Sequence, residues 1–176
     1  YGTDATQLAF PPDAVAFPAE AKEISDILKL ATREGFPVVP RGGGSGMSGG
    51  ALPVLGGLVL AMDRLDHILA LEPEDLLAQV EPGVITARLH EAAERVGLYY
   101  PPDPASLHLS TIGGNLAECA GGLRAVKYGV TRDYVLGLTV VLPTGEILKT
   151  GVRTVKGVAG YDLTRLIVGS EGTLAV

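Results

Sequence analysis

Between Ala21 and Gly35 the apolar residues Ile24, Ile27, Leu28 and Ala31 recur three and four places apart among charged neighbours. That is the period of a helix with one buried stripe, and a glycine just past its end is a common stop. Short apolar runs flank it. AVAFP (residues 14–18), FPVVP (36–40) and GLVLAM (57–62) read as strands, and after the turn DRLDHI come two more, LALEP and LLAQVEPG. A second amphipathic helix is expected over TARLHEAAERVG, with Thr86 as its cap and Gly97 at its end. The predicted order is β-α-β-β-β-β-α, an α+β arrangement.

The texture changes after Leu98. YYPPDPAS is too rich in proline to be helical in its middle, and STIGGNLAECAGG is small and glycine-rich. VLGLTVVLPTGEILKTG alternates around Pro143-Thr144-Gly145 as a hairpin does, AGYDLTRLIVG predicts a short helix, and GSEGTLAV reads as part of a strand. The change of texture puts a boundary between two subdomains near residues 99–104, giving subdomain 1 at about residues 1–98 and subdomain 2 at about 99–176.

One stretch breaks the pattern of strands and helices: VVPRGGGSGMSGGALP, residues 38–53. A slack linker fits its glycine content but not its position between two apolar strands. A dinucleotide turn fits formally, since Gly44, Gly46 and Gly49 satisfy G-x-G-x-x-G and Asp63 lies about 20 residues on. That design needs a helix starting in the loop to hold the pyrophosphate. Pro53, Gly56 and Gly57 exclude one, and no lysine followed by serine or threonine makes a P-loop. The third reading is a strand-to-strand cradle in which successive backbone N–H groups face an anion without Cβ atoms in the way. Ser45 and Ser48 add hydroxyl donors. Arg41 at the entrance either meets the anion or braces the loop.

Composition removes whole classes of function. The 176 residues are 47% hydrophobic and 19% charged, which suits a packed body. A net charge of −6 without a basic run argues against nucleic acid or an anionic membrane as partner. No apolar run reaches the roughly 20 residues of a membrane helix. A single cysteine, Cys119, allows no internal disulfide, and no signal peptide is visible, so a reducing cytoplasm is expected. His67, His90 and His108 are scattered, and no metal site is expected. Asn115 is the only asparagine and tryptophan is absent, a depletion that suits a thermophilic source.

Five segments taken together carry a resemblance: PRGGGSGMSGG, PPDPAS, TIGGNLAECAGG, KYGVTRDYVLGLTVVLPTGE and TVKGVAGYDLTRLIVGSEGTLAV. In this order they resemble the FAD-binding domain of the vanillyl-alcohol-oxidase (PCMH) type. They are most similar to the FAD subunit of glycolate oxidase and to D-lactate dehydrogenases. The resemblance covers essentially the whole chain and implies two α+β subdomains with FAD between them. Carried onto matching positions, it implies that the backbone of Gly42, Gly43, Gly44, Ser45 and Gly46 meets the pyrophosphate. Pro104 and Ser106 would approach the cofactor from the second subdomain. Thr111, Gly113, Gly114 and Asn115 would add flavin and phosphate contacts. Gly121, Gly122, Tyr128 and Gly129 would lie near the isoalloxazine, and Glu171, Gly172 and Val176 would close on the adenosine half.

The resemblance further implies hydride transfer from the α-carbon of a small 2-hydroxy acid to the flavin, with substrate and base groups supplied by a C-terminal cap domain that is not in this chain. The chain is expected to be the FAD-binding portion of such an oxidoreductase, inactive alone, and the resemblance implies partner subunits of an oxidase complex. A flavin-holding module without catalysis is the alternative. FAD is expected to be held without a covalent bond, because the loop position used for histidine linkage is Ser45 and DPASLHLSTIGG contains no cysteine. Four positions depart from the pattern. Glu118 and Cys119 stand where relatives usually carry threonine and asparagine, Gly157 replaces an asparagine, and Ala175 a glycine.

Overall fold

The computed structural model describes residues 1–176. Its strands are β1 (Ala14–Ala16), β2 (Val38–Arg41), β3 (Leu58–Ala61), β4 (Ile68–Glu72), β5 (Leu77–Val80), β6 (Gly137–Val141) and β7 (Ile147–Gly151). Its helices are α1 (Ala21–Glu34), α2 (Thr86–Arg95), α3 (Ile112–Glu118), α4 (Ala125–Tyr128) and α5 (Leu163–Ile167). The expected order through α2 is the observed one, and the molecule is α+β.

The strands form three separate sheets. β1, β3 and β2 make a parallel sheet with β3 in the middle, while β4–β5 and β6–β7 are antiparallel pairs. A strand flanked on both sides and covered on both faces must be apolar throughout. β3 obeys this: Val59, Leu60 and Ala61 are fully buried. The stripe of α1 lies over it, and Ile24 and Leu28 join Leu60, Met62, Leu65 and Val141 in the main core. Val141 belongs to β6, so α1 is shared between the parallel sheet and the second hairpin. The buried Ser25 hydroxyl fixes that arrangement by donating to the carbonyl of Gly145, 2.5 Å away in the hairpin turn.

The sequence misplaces some details. Thr86 is not the cap of α2 but its first residue, and Ile85 occupies the cap position. The Thr86 hydroxyl donates instead to the Ser110 carbonyl at 3.0 Å and accepts from Asn115 Nδ2 at 2.8 Å. This fully buried threonine therefore pins the start of α3 to α2. Helix α3 was hidden by Gly113 and Gly114, both poor helix formers. Gly113 is there for close approach: its N–H donates to the Pro82 carbonyl at 2.7 Å, and a Cβ would stand 2.7 Å from that proline's own Cβ. Thr111 caps the helix by accepting from the Gly114 N–H at 3.1 Å.

The C-terminal stretch forms no strand. Val176 nevertheless exchanges both backbone hydrogen bonds with Val141, at 2.8 and 2.9 Å. β6 thus has β7 along one side, and along the other only this single contact at its end.

Candidate functional site

The loop between β2 and β3 contains no helix, as its prolines and glycines dictate, yet it joins two parallel neighbours. Within it the backbone N–H groups from Gly43 to Ser48 donate to no acceptor in the chain. Several of these residues are exposed, so the amides are not stranded from water, and they are free to face an anion.

The glycines serve different ends. A Cβ on Gly42 would strike the Thr111 hydroxyl, and one on Gly43 the Leu109 carbonyl, so these two let the loop lie directly against the segment leading into α3. Gly44 has φ +64°, and a Cβ there would run into the Arg41 guanidinium. Arg41 itself is a brace. Its Nη1 donates to the carbonyls of Tyr1 and Ala51, both at 3.3 Å, and its guanidinium lies 5.8 Å from the Tyr1 ring centroid.

Beside the loop runs a cleft of about 1220 Å³. It exceeds the roughly 300–1,000 Å³ of ordinary small-molecule pockets. Gly42, Gly43, Gly44, Ser45 and Gly46 line it, and so do Pro104, Ser106, Thr111, Gly113, Gly114, Asn115, Glu171, Gly172 and Val176. The two glycine-rich segments therefore share one cavity. Gly121, Gly122, Tyr128 and Gly129 do not line it. A Cβ on Gly122 would meet the Asp103 carbonyl, and one on Gly129 the Asp133 carboxylate, so those two are needed for packing behind the wall. Tyr128 is exposed, with the Lys127 ammonium 4.8 Å from its ring centroid.

Sequence reasoning missed most of the opposite wall, which β5 and the hairpin β6–β7 supply with apolar residues such as Leu77, Leu138 and Val140. Their types are those of any core strand, so no signal in the sequence marks them. Asp4 was also missed. It lines the cleft, and while its Oδ1 accepts from Thr6, its Oδ2 is buried without a partner.

No histidine borders the cleft. His90 Nε2 lies 2.8 Å from the Pro102 carbonyl, and the imidazole meets Tyr100 edge-on at 5.6 Å. His67 Nδ1 lies 2.9 Å from Glu81 Oε2 on the surface. Tyr100 does border the cleft, and burial pushes its phenol up to about 12. No group of histidine, cysteine, aspartate and glutamate is arranged to hold a metal. No helix is long and apolar enough to cross a membrane.

Known proteins match this arrangement closely. The family model described as the FAD binding domain matches residues 12–151. The glycolate oxidase subunit GlcD of Bacillus subtilis (strain 168) is 54% identical over 100% of this chain and 38% of its own length. The D-lactate dehydrogenase of Archaeoglobus fulgidus is 45% identical over 92% of the chain and 36% of its own length. Among solved structures, an alkyldihydroxyacetonephosphate synthase superposes with a TM-score of 0.82 and 29% identity, covering 97% of this chain and 31% of that one. The chain thus spans little more than a third of the curated relatives it matches. The glycine loop and the cleft beside it suit FAD, and the chain belongs to the FAD binding domain family.

Proposed function

We propose that this chain is the FAD-holding portion of a 2-hydroxy-acid oxidoreductase. The observation that carries the reading is the run of unpaired amides from Gly43 to Ser48 along a cleft shared with the Thr111–Asn115 segment. The loop amides, with Ser45 and Gly46, hold the pyrophosphate. Pro104, Ser106 and the start of α3 flank the flavin half, while Glu171, Gly172 and Val176 close on the adenosine half. Gly121, Gly122, Tyr128 and Gly129 shape the wall behind the isoalloxazine end, and the two subdomains meet along the cleft. Bound there, FAD accepts a hydride from the α-carbon of a small 2-hydroxy acid. The chain's own residues bind, orient and shield it. Substrate groups and the proton acceptor come from a cap domain in the remaining length that the relatives have. The cytoplasm is the compartment this reading favours.

One observation favours a second reading, a flavin-holding module without chemistry of its own: no histidine lines the cleft, and carboxylates are the bases that remain. The first test is common to both. The purified protein is expected to be yellow, and acid precipitation is expected to release the colour into the supernatant because the bond to FAD is not covalent. A colourless protein that does not quench added FAD would end both readings; colour retained in the pellet would point to a covalent link through His108 or Cys119. Anaerobic mixing of the full-length protein with D-lactate or glycolate then separates oxidoreductase from module by whether the flavin bleaches.

A further inference from the structure

We propose that Glu118 is an electrostatic brake on cofactor retention, a carboxylate that opposes the pyrophosphate which the loop amides attract. The inference rests on the reading that the glycine loop cradles that pyrophosphate. Glu118 ends α3 on the cleft wall, and its Oε1 accepts from the Ser48 hydroxyl at 2.8 Å. A Cβ on Gly46 would lie 3.0 Å from the same oxygen, so the carboxylate sits directly against the cradle. It is bonded to a neutral hydroxyl, and no lysine or arginine pairs with it to cancel its charge.

The rest of the cleft compensates only in part. Asp4, Glu20, Glu81 and Glu171 line it together with Glu118. The lining cations are Arg41, Lys149 and Arg153. Arg41 is engaged with two carbonyls, and Arg153 Nη2 is paired with Glu72 at 2.6 Å. Arg41 keeps its charge and Lys149 has no paired carboxylate, yet the five lining carboxylates outnumber the three cations, so the pyrophosphate would be held chiefly by neutral backbone dipoles in a cavity whose charged lining is net negative. Two like charges a few ångströms apart near a protein surface repel by enough to change an equilibrium severalfold, and salt screens that repulsion. A phosphate site built on lysine and arginine weakens as salt rises; this one gains.

The test is titration of the flavin-free protein with FAD, followed by flavin fluorescence, at low and raised potassium chloride. Wild type, Glu118→Gln and Glu118→Ala are compared, with riboflavin, which carries no phosphate, as the reference ligand. The wild type is expected to bind FAD more tightly as salt rises. Both variants are expected to bind FAD about three- to tenfold more tightly than wild type at low salt, with the gain shrinking as salt is added and riboflavin unaffected. Glutamine keeps the acceptor for Ser48, so a gain in Glu118→Gln isolates charge from loop geometry. Unchanged or weaker FAD binding in both variants, or an equal gain for riboflavin, would overturn the proposal. A wild type that does not bind FAD at all would instead overturn the reading beneath it, which the first titration decides before any variant is compared.

Discussion

Single residues carry much of the site, and Gly44 shows how the structure sharpens an expectation. The sequence reading put a glycine there to leave the phosphate path open. The observed obstacle is nearer: a side chain at φ +64° would strain the backbone and displace the Arg41 guanidinium that ties the loop to Tyr1 and Ala51. Gly44→Val is expected to weaken FAD binding by at least tenfold while the far-ultraviolet circular dichroism stays native, because the loop loses its brace and the core does not. Wild-type FAD affinity in that variant would show that the brace is dispensable. Tyr100 offers a second test at this scale. Burial raises its phenol from 10.0 to about 12, so the folded state favours the neutral form. The stability this implies is complete below pH 10 and disappears as pH rises through about 12, a contribution of roughly 3 kcal/mol at most. Denaturant unfolding measured between those limits is expected to fall more steeply in wild type than in Tyr100→Phe.

Among the elements, α3 was the one least legible in the sequence. Its glycines argue against a helix, and the sequence reading left the segment without one. What makes it a helix is tertiary: the approach to Pro82 and the bond from Asn115 to Thr86. By contrast α1, β3 and the β6–β7 hairpin could be read directly, because each buries one face or one strand and the periodicity records it. The helix-free course of the glycine loop was legible for the same local reason, whereas the opposite wall of the cleft was not, since Leu138 and Val140 look like any strand. α3 also ends under strain. Cys119 is its C-cap in the left-handed region, φ 50° and ψ 50°, where a side chain is unfavourable and glycine or asparagine is preferred. Cys119→Gly is expected to stabilise the protein by about 0.5–1 kcal/mol, read as a higher denaturation midpoint. A lower midpoint would mean that the thiol packs more than it strains.

For the whole molecule, the cleft sets what the chain does alone. Hydride transfer needs the substrate carbon within about 3–3.5 Å of the flavin and a base placed for the hydroxyl proton. The lining supplies dipoles, carboxylates and apolar strands but no imidazole, and Arg124 is taken up by Asp103 at 3.2 Å, Arg132 by the Val168 carbonyl at 2.6 Å. The 176-residue chain with FAD bound is therefore expected not to reduce its flavin on anaerobic mixing with D-lactate or glycolate. Saturable bleaching, abolished by a substitution within this chain, would place the catalytic groups here after all.

The unpaired side of β6 has a consequence of another kind. A lone hairpin edge displays backbone donors and acceptors in register, and another strand can zip onto it. The molecule also exposes 10108 Å², against about 8,100 Å² for a compact monomer of its mass. Kept as an isolated chain, it is expected to associate with itself reversibly as concentration rises, edge to edge, with sedimentation shifting toward dimers. Thr139→Lys puts a charge on that edge at an exposed position and is expected to hold the chain monomeric, in the way that lysines guard the margins of sheets elsewhere. Sedimentation unchanged by the lysine would locate the sticky surface somewhere other than β6. Resistance to association is thus expected to rest on a strip of backbone five residues long, Gly137–Val141.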